Sequence, residues 1–319
     1  MAAFVAGGIW YLQLTQVIAT ASPVQNYLNA LERGDASQAL RLDHTSSNGS
    51  DPLLTDKAYR AAKGHISAYS IKSVTIKGDH AVVTAQLLQV GLYSTERFDL
   101  VKAGSVVPFV NTWQLEPVTL GHMKVTIDAP PGENLAINGQ AIPGSGASSS
   151  LNLSAFPGEY TVTLANSNSW YSATTGTAWV NGLDSSKDQS AHVTANLTTA
   201  GMTVATAAVN TWLSACVAST DLQPTGCSFG VVDSDGSTNF SQQHWTLDTT
   251  PTFEIDSSWN SGWEVWTTEP GSASFVAVAH DPAGDEGIFA SAAPIPVVIA
   301  GAITDISDQG ATYVSDPFN

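Results

Sequence analysis

Asp43 and His44 stand side by side where a helical pattern ends, and a carboxylate next to an imidazole is a pair that can pass a proton. A histidine at a helix C-terminus has a plainer use, since its cation meets the negative end of the helix dipole. The remaining histidines, His65, His80, His122, His192, His244 and His280, are scattered, with no two at the i, i+4 spacing of a metal pair. No HExxH, GxSxG, Walker A or GxGxxG pattern occurs. Asp233-Ser234-Asp235-Gly236 begins like a calcium loop but lacks the later ligands and the distal glutamate, so it reads as a turn. Asp281, Asp285 and Glu286 cluster in the loop HDPAGDEG, where oxygen ligands could hold a weak calcium ion or simply hydrate a hairpin tip. These residues assign no catalytic side chain, no metal and no cofactor.

The aromatic residues are more informative. Trp245, Trp259, Trp263 and Trp266 fall close together, in a region that alternates like strands. On a strand Trp263 and Trp266 point to opposite faces, so one belongs to a core and the other can face solvent. An exposed indole suits stacking on a sugar ring or on a partner surface. Cys216 and Cys227, with ten residues between them, are too few for a zinc site and have no histidine in their loop. In an oxidising compartment they form a disulfide worth roughly 2–3 kcal/mol by loop entropy; otherwise they are two buried thiols.

Charge divides the chain. Up to Lys124 there are ten Lys or Arg against nine Asp or Glu, a net of +1. From Val125 onward Lys187 is the one basic residue against nineteen acidic ones, a net of −18. Phosphate backbones need clustered cations, so the second part repels nucleic acid and anionic lipid. Only 12% of residues are charged, and Ser, Thr, Ala, Asn and Gly fill the gap.

The elements that would position these residues follow from periodicity. Ala2–Ala21 carries no charge, and Glu32 is the first charged side chain. Residues 1–21 read as the outer part of a transmembrane helix that begins before Met1, with Trp10 and Tyr11 at the interface, or as an amphipathic helix packed on its own domain. Ser22-Pro23 predicts a fresh helix start, with the helix running to Leu42 and interrupted at Gly34-Asp35. After a short helix at Thr55–Gly64 the period becomes two: Ile66–Ile76, Ala81–Leu88, Gly91–Leu100 and Val106–Leu115 predict an antiparallel meander. Its helix-facing side would take Ile71, Val83, Phe98 and Trp113. Val125–Asn196 is all-β by pattern, with turn signals at Pro130-Pro131-Gly132 and Asn138-Gly139. Thr198–Ser219 returns to a helical period, and β-like runs follow at His244–Asp248, Gly262–Thr268, Ala273–His280 and Ile295–Ile303. The expected fold class is α+β and multidomain, with boundaries at 1–21, 22–122, 123–197 and 198–319.

Pro23–Leu42 and the alternating strands through Phe98 and Trp113 resemble the NTF2-like, or cystatin-like, α+β cone. Val125–Gln140 with Phe156–Leu164 (FPGEYTVTL) resembles the small Ig-like or PEGA-like β-sandwich modules of envelope proteins. Ala207–Phe229 resembles the helix and disulfide that open a second NTF2-like domain. In this order the segments are similar to TcaA-type bacterial membrane-anchored envelope proteins. The resemblance implies a non-enzymatic scaffold or sensor, anchored in the bacterial cell membrane by its N-terminal helix. Its extracytoplasmic domains would bind cell-wall polymer or an envelope protein. A cone of this kind can hold a small molecule, and Tyr27, Tyr59, Tyr69, Phe98 and Trp113 would line that cavity or fill it. Two other readings follow from it: a small-molecule carrier, and an enzyme with a Tyr/Asp or Asp/His pair inside such a cavity.

Overall fold

Val24, Tyr27, Leu28 and Leu31 recur at i, i+3, i+4 and i+7, and all four are sealed from solvent on one face of helix α1 (Ala2–Glu32). The computed structural model of the protein describes residues 2–45, 51–107, 110–147, 149–166, 168–183, 189–233, 238–280 and 285–316. The helix runs through Pro23, where the sequence predicts a start. Proline removes one amide, so Ala19 alone loses its i+4 partner. The flanking turn is buried at Thr20, Ala21 and Val24, and that burial outweighs the missing bond. The Thr20 hydroxyl donates back to the Gln16 carbonyl at 2.7 Å.

Two short helices follow, α2 (Ala36–Leu42) and α3 (Asp56–Ala61), capped by Asp35 and Thr55, which accept from Gln38 N–H and Ala58 N–H. They precede the antiparallel sheet β1 (Ile66–Lys77), β2 (His80–Gln89), β3 (Leu92–Val107) and β4 (Val110–Leu115), paired in chain order. Val83, Phe98 and Trp113 face the core as the alternation predicts, and Ile71 packs at its margin. The third strand is longer than expected, because a bulge at Lys102/Gly104 lets pairing continue past the polar stretch.

Next come β5 (Gly121–Asp128), β6 (Leu135–Ile137), β7 (Gln140–Ile142), β8 (Ser150–Ala155), β9 (Gly158–Leu164), β10 (Tyr171–Ala173), β11 (Gly176–Val180) and β12 (Gln189–Leu197). β11-β9-β6-β7 form one sheet, and β5 pairs with β8. Asn138 and Gly139, both at positive φ, make the two-residue turn between β6 and β7.

By contacts the chain falls into two compact units. The first is Met1–Ile127, Gly132–Ala165 and Thr175–Val193; the second is Asp128–Pro131, Asn166–Thr174 and Thr194–Asn319. In the first, Phe156 and Leu183 share one core with Tyr27 and Phe98.

The second unit starts from β10 paired with the end of β12. Helix α4 (Thr199–Ala218) then begins where the Thr198 side chain caps Gly201 N–H at 3.1 Å. By length and composition α4 is the one helix, among the described residues, able to cross a membrane. Gly201, Ala205, Val209, Leu213 and Cys216 are nevertheless buried along one side, and its other side carries Thr, Asn and Ser, the pattern of a helix lying on a core. The strands β13 (Asn239–Thr249), β14 (Thr252–Ile255), β15 (Trp263–Glu269), β16 (Gly271–His280), β17 (Glu286–Ala290), β18 (Ile295–Val297), β19 (Ala300–Ser307) and β20 (Gly310–Ser315) make two sheets. One is β13-β16-β17 with β18 on β16; the other is β14-β15-β19-β20. The described residues are thus sheet-rich with a smaller helical share, compatible with a multidomain α+β class.

Gly201 sits over the Trp170 carbonyl, which accepts from Thr198 N–H at 2.9 Å; a Cβ there would lie 1.9 Å from that oxygen. Gly201→Ala should therefore cost the second unit about 3 kcal/mol in a urea melt, while exposed Thr203→Ala should stay within about 0.5 kcal/mol of the parent.

Candidate functional site

Four of the five aromatic side chains expected around a cavity are packed into the core of the first unit. Tyr27, Tyr59, Phe98 and Trp113 are all buried there, and the Tyr27 and Phe98 rings meet edge-on at 6.1 Å. Tyr69 lies at the margin and donates through its hydroxyl to Asn29 Oδ1 at 2.9 Å. Of the five, Trp113 borders a cleft of ≈ 590 Å³, together with Pro23, Asn26, Arg41, His44 and Asn111.

The polar chemistry inside that core comes from a residue the sequence pairs differently. α2 ends at Asp43, and His44 follows at φ 56, the left-handed conformation that stops a helix. The turn separates the two neighbours. Asp43 is completely buried, and His44 borders the cleft. Asp43 Oδ1 accepts from Thr45 N–H at 2.9 Å. Among the described residues, its Oδ2, the hydroxyls of Tyr27 and Tyr59, and Trp113 Nε1 are buried with no partner at hydrogen-bonding geometry. Burial raises the Asp43 pKa above the usual carboxylate range, against the opposing effects of Thr45, the Val118 amide and His44. Burial also pushes the Tyr27 hydroxyl far up, with further increments from Asp43 and Tyr59, so Tyr27 stays a neutral donor. A helix-ending Asp followed by a residue able to adopt positive φ is the only sequence signal for this inward turn.

In the second unit the tryptophans serve different purposes. Trp245, Trp259 and Trp263 are buried, and Trp266 is 38% exposed. Trp263 and Trp266 do take opposite faces of β15. Trp245 belongs to an aromatic run in which Phe229 and Phe275 each lie 4.8 Å from it, and Phe275 leads on to Phe289 and Phe240. Its indole N–H donates to the Asp221 carbonyl at 2.9 Å. Trp263 stands between Trp259 at 4.7 Å and Tyr171 at 5.4 Å. The four residues therefore form no single surface.

Cys216 and Cys227 are joined in a disulfide. Beside Cys227 a second cleft, of ≈ 680 Å³, is lined by Pro224, Phe229, Ile295, Pro296 and Val298 without a charged side chain. Among the described residues no group of three or more His, Cys, Asp or Glu side chains is placed to hold a metal ion. Ser234–Gly236 of the first calcium-like turn and Asp281 of the second lie outside the described residues. Flanking the second, His280 Nδ1 faces Glu286 Oε1 at 3.5 Å and its Nε2 bonds Ser241 Oγ at 2.8 Å. Searches against protein-family models, curated proteins and solved structures match nothing to this chain.

Asp43→Asn tests the buried carboxyl. Because its folded-state pKa is raised, folding takes up a proton between the ordinary carboxylate value and the raised one. The parent protein should thus gain stability as pH falls through the raised value and level off below the ordinary one. Asp43→Asn should melt higher than the parent at neutral pH, and the gap should close in acid, read as Tm across a pH series.

Proposed function

We propose that this chain is a non-enzymatic, extracytoplasmic envelope protein of the TcaA-like kind, held at the bacterial membrane through its N-terminal helix. It acts as a scaffold or sensor that binds cell-wall polymer or a partner protein. The observation that carries this reading is the Cys216–Cys227 disulfide, because structural disulfides persist where the compartment is oxidising. The layer of α1–α3 on a four-stranded antiparallel meander supports an NTF2-like cone for the first part, and α4 with its two sheets supports a second. The paired short strands between them support an Ig-like or PEGA-like module. A filled interior supports the non-enzymatic role: Tyr27, Tyr59 and Asp43 have no solvent exposure, so substrate has no path to them without local opening.

The carrier reading keeps one specific support, the ≈ 590 Å³ cleft edged by Arg41 and His44, which would suit a small anion-bearing ligand.

Two measurements test the main reading. Reduction of the disulfide should lower stability by roughly 2–3 kcal/mol in a denaturant melt. The full chain should co-sediment with isolated bacterial cell walls. Loss of binding with added salt would point to the near-neutral first part, and salt-resistant binding to an aromatic surface. No sedimentation at any salt, together with reduced cysteines in the chain isolated from cells, would overturn the proposal.

A further inference from the structure

Strand register, more than proximity in sequence, defines the surroundings of Trp266. In the sheet β14-β15-β19-β20, Trp266 lies opposite Glu254 on one side and Ala300 on the other. One row along, Glu264 lies opposite Ala302, which in turn lies opposite Val314. Trp263 and Val265 are buried on the other face, so Glu264 and Trp266 share the outer one. The positions next to and diagonal from the indole on β19 are thus two alanines, whose methyl groups rise too little to cover it. Val314, 51% exposed, extends the apolar strip. The two glutamates are exposed, and neither enters an ion pair among the described residues.

An exposed indole on a floor of small side chains, flanked by carboxylates, fits a particular chemistry. A pyranose ring has an apolar C–H face and a rim of hydroxyl and amide donors. The first packs on an indole, and the second donates to carboxylates, which only accept. The surrounding charge narrows the choice further. With Lys187 the one basic residue after Val125, a polyanionic wall polymer is repelled, and an uncharged one is not.

We propose that the outer face of β14-β15-β19-β20 docks a neutral glycan chain of N-acetylhexosamine units, with Trp266 stacking on a sugar ring and Glu254 and Glu264 accepting from its hydroxyl or amide groups. This rests on the envelope reading and names the component of the wall that would be bound.

The test titrates the full chain with N-acetylglucosamine oligomers by calorimetry, beside Trp266→Ala, Trp266→Phe and the double variant Glu254→Gln/Glu264→Gln. Trp266→Ala should weaken binding by about tenfold or more, and Trp266→Phe by clearly less. The glutamine pair should weaken it while leaving the melting temperature unchanged, since these side chains face solvent. Equal affinity of parent and Trp266→Ala overturns the site, as does the absence of oligomer binding to the parent. Preferential binding of a glycerol-phosphate polymer overturns the neutral-glycan assignment. If Trp266→Ala still co-sediments with walls as the parent does, this site fails and the envelope reading stands. If the parent does not sediment and its cysteines are reduced in cells, the envelope reading itself fails.

Discussion

A four-stranded antiparallel sheet that is apolar on one face must bury that face, and in the first unit α1 supplies the cover. Three polar side chains enter that interior from the helices that cover the sheet. Tyr27 is on the burying stripe of α1, Tyr59 is on α3, and Asp43 caps the end of α2. Each brings an oxygen into a space that hydrophobic burial has already closed. The cost shows in their titration: the carboxyl and both phenols are displaced toward their neutral forms. The titratable groups of this interior are thus biased toward the forms that a dry core tolerates.

The second unit meets the same requirement with aromatic stacking and a covalent tie. Its core rests on the run from Phe229 through Trp245 to Phe275, and the disulfide fastens the loop carrying Phe229 to the end of α4. Trp212 on α4 donates to the Gly226 carbonyl in that same loop at 3.0 Å and meets Tyr313 of β20 edge-on at 5.2 Å. Among the described residues, helix, loop and sheet are thereby fixed together without an ion pair between them, which suits a region almost devoid of basic residues.

Much of this was legible in the sequence where one period dominates. The four-strand meander, the α4 boundaries and the opposite facing of Trp263 and Trp266 follow from alternation and capping alone. Continuity of α1 through Pro23 was not legible, because a proline after serine carries the signature of a helix start, and only tertiary burial outweighs it. The last strands depart from the expected run for a related reason. Ile295–Ile303 reads as one apolar run, but Val298 N–H turns to Ser228 Oγ and Ile299 N–H to Thr267 Oγ1, splitting it into β18 and β19. Nearness along the chain does not decide which of the four tryptophans face outward; strand pairing and alternation do. Asp43 looked like half of an acid–base pair with His44 because a positive φ at the second residue leaves no mark on composition.

The unbroken course of α1 gives the first unit a mechanical property. A helix of this length is a rod of about 45 Å, and its buried half is locked into the core at Val24, Tyr27, Leu28 and Leu31. Among the described residues, the rung that proline weakens lies at Ala19, where Pro23 has no amide to give. A helix bends most readily where a ladder bond is missing, so the turn just ahead of the Val24–Leu31 anchor is a built-in point of compliance in α1.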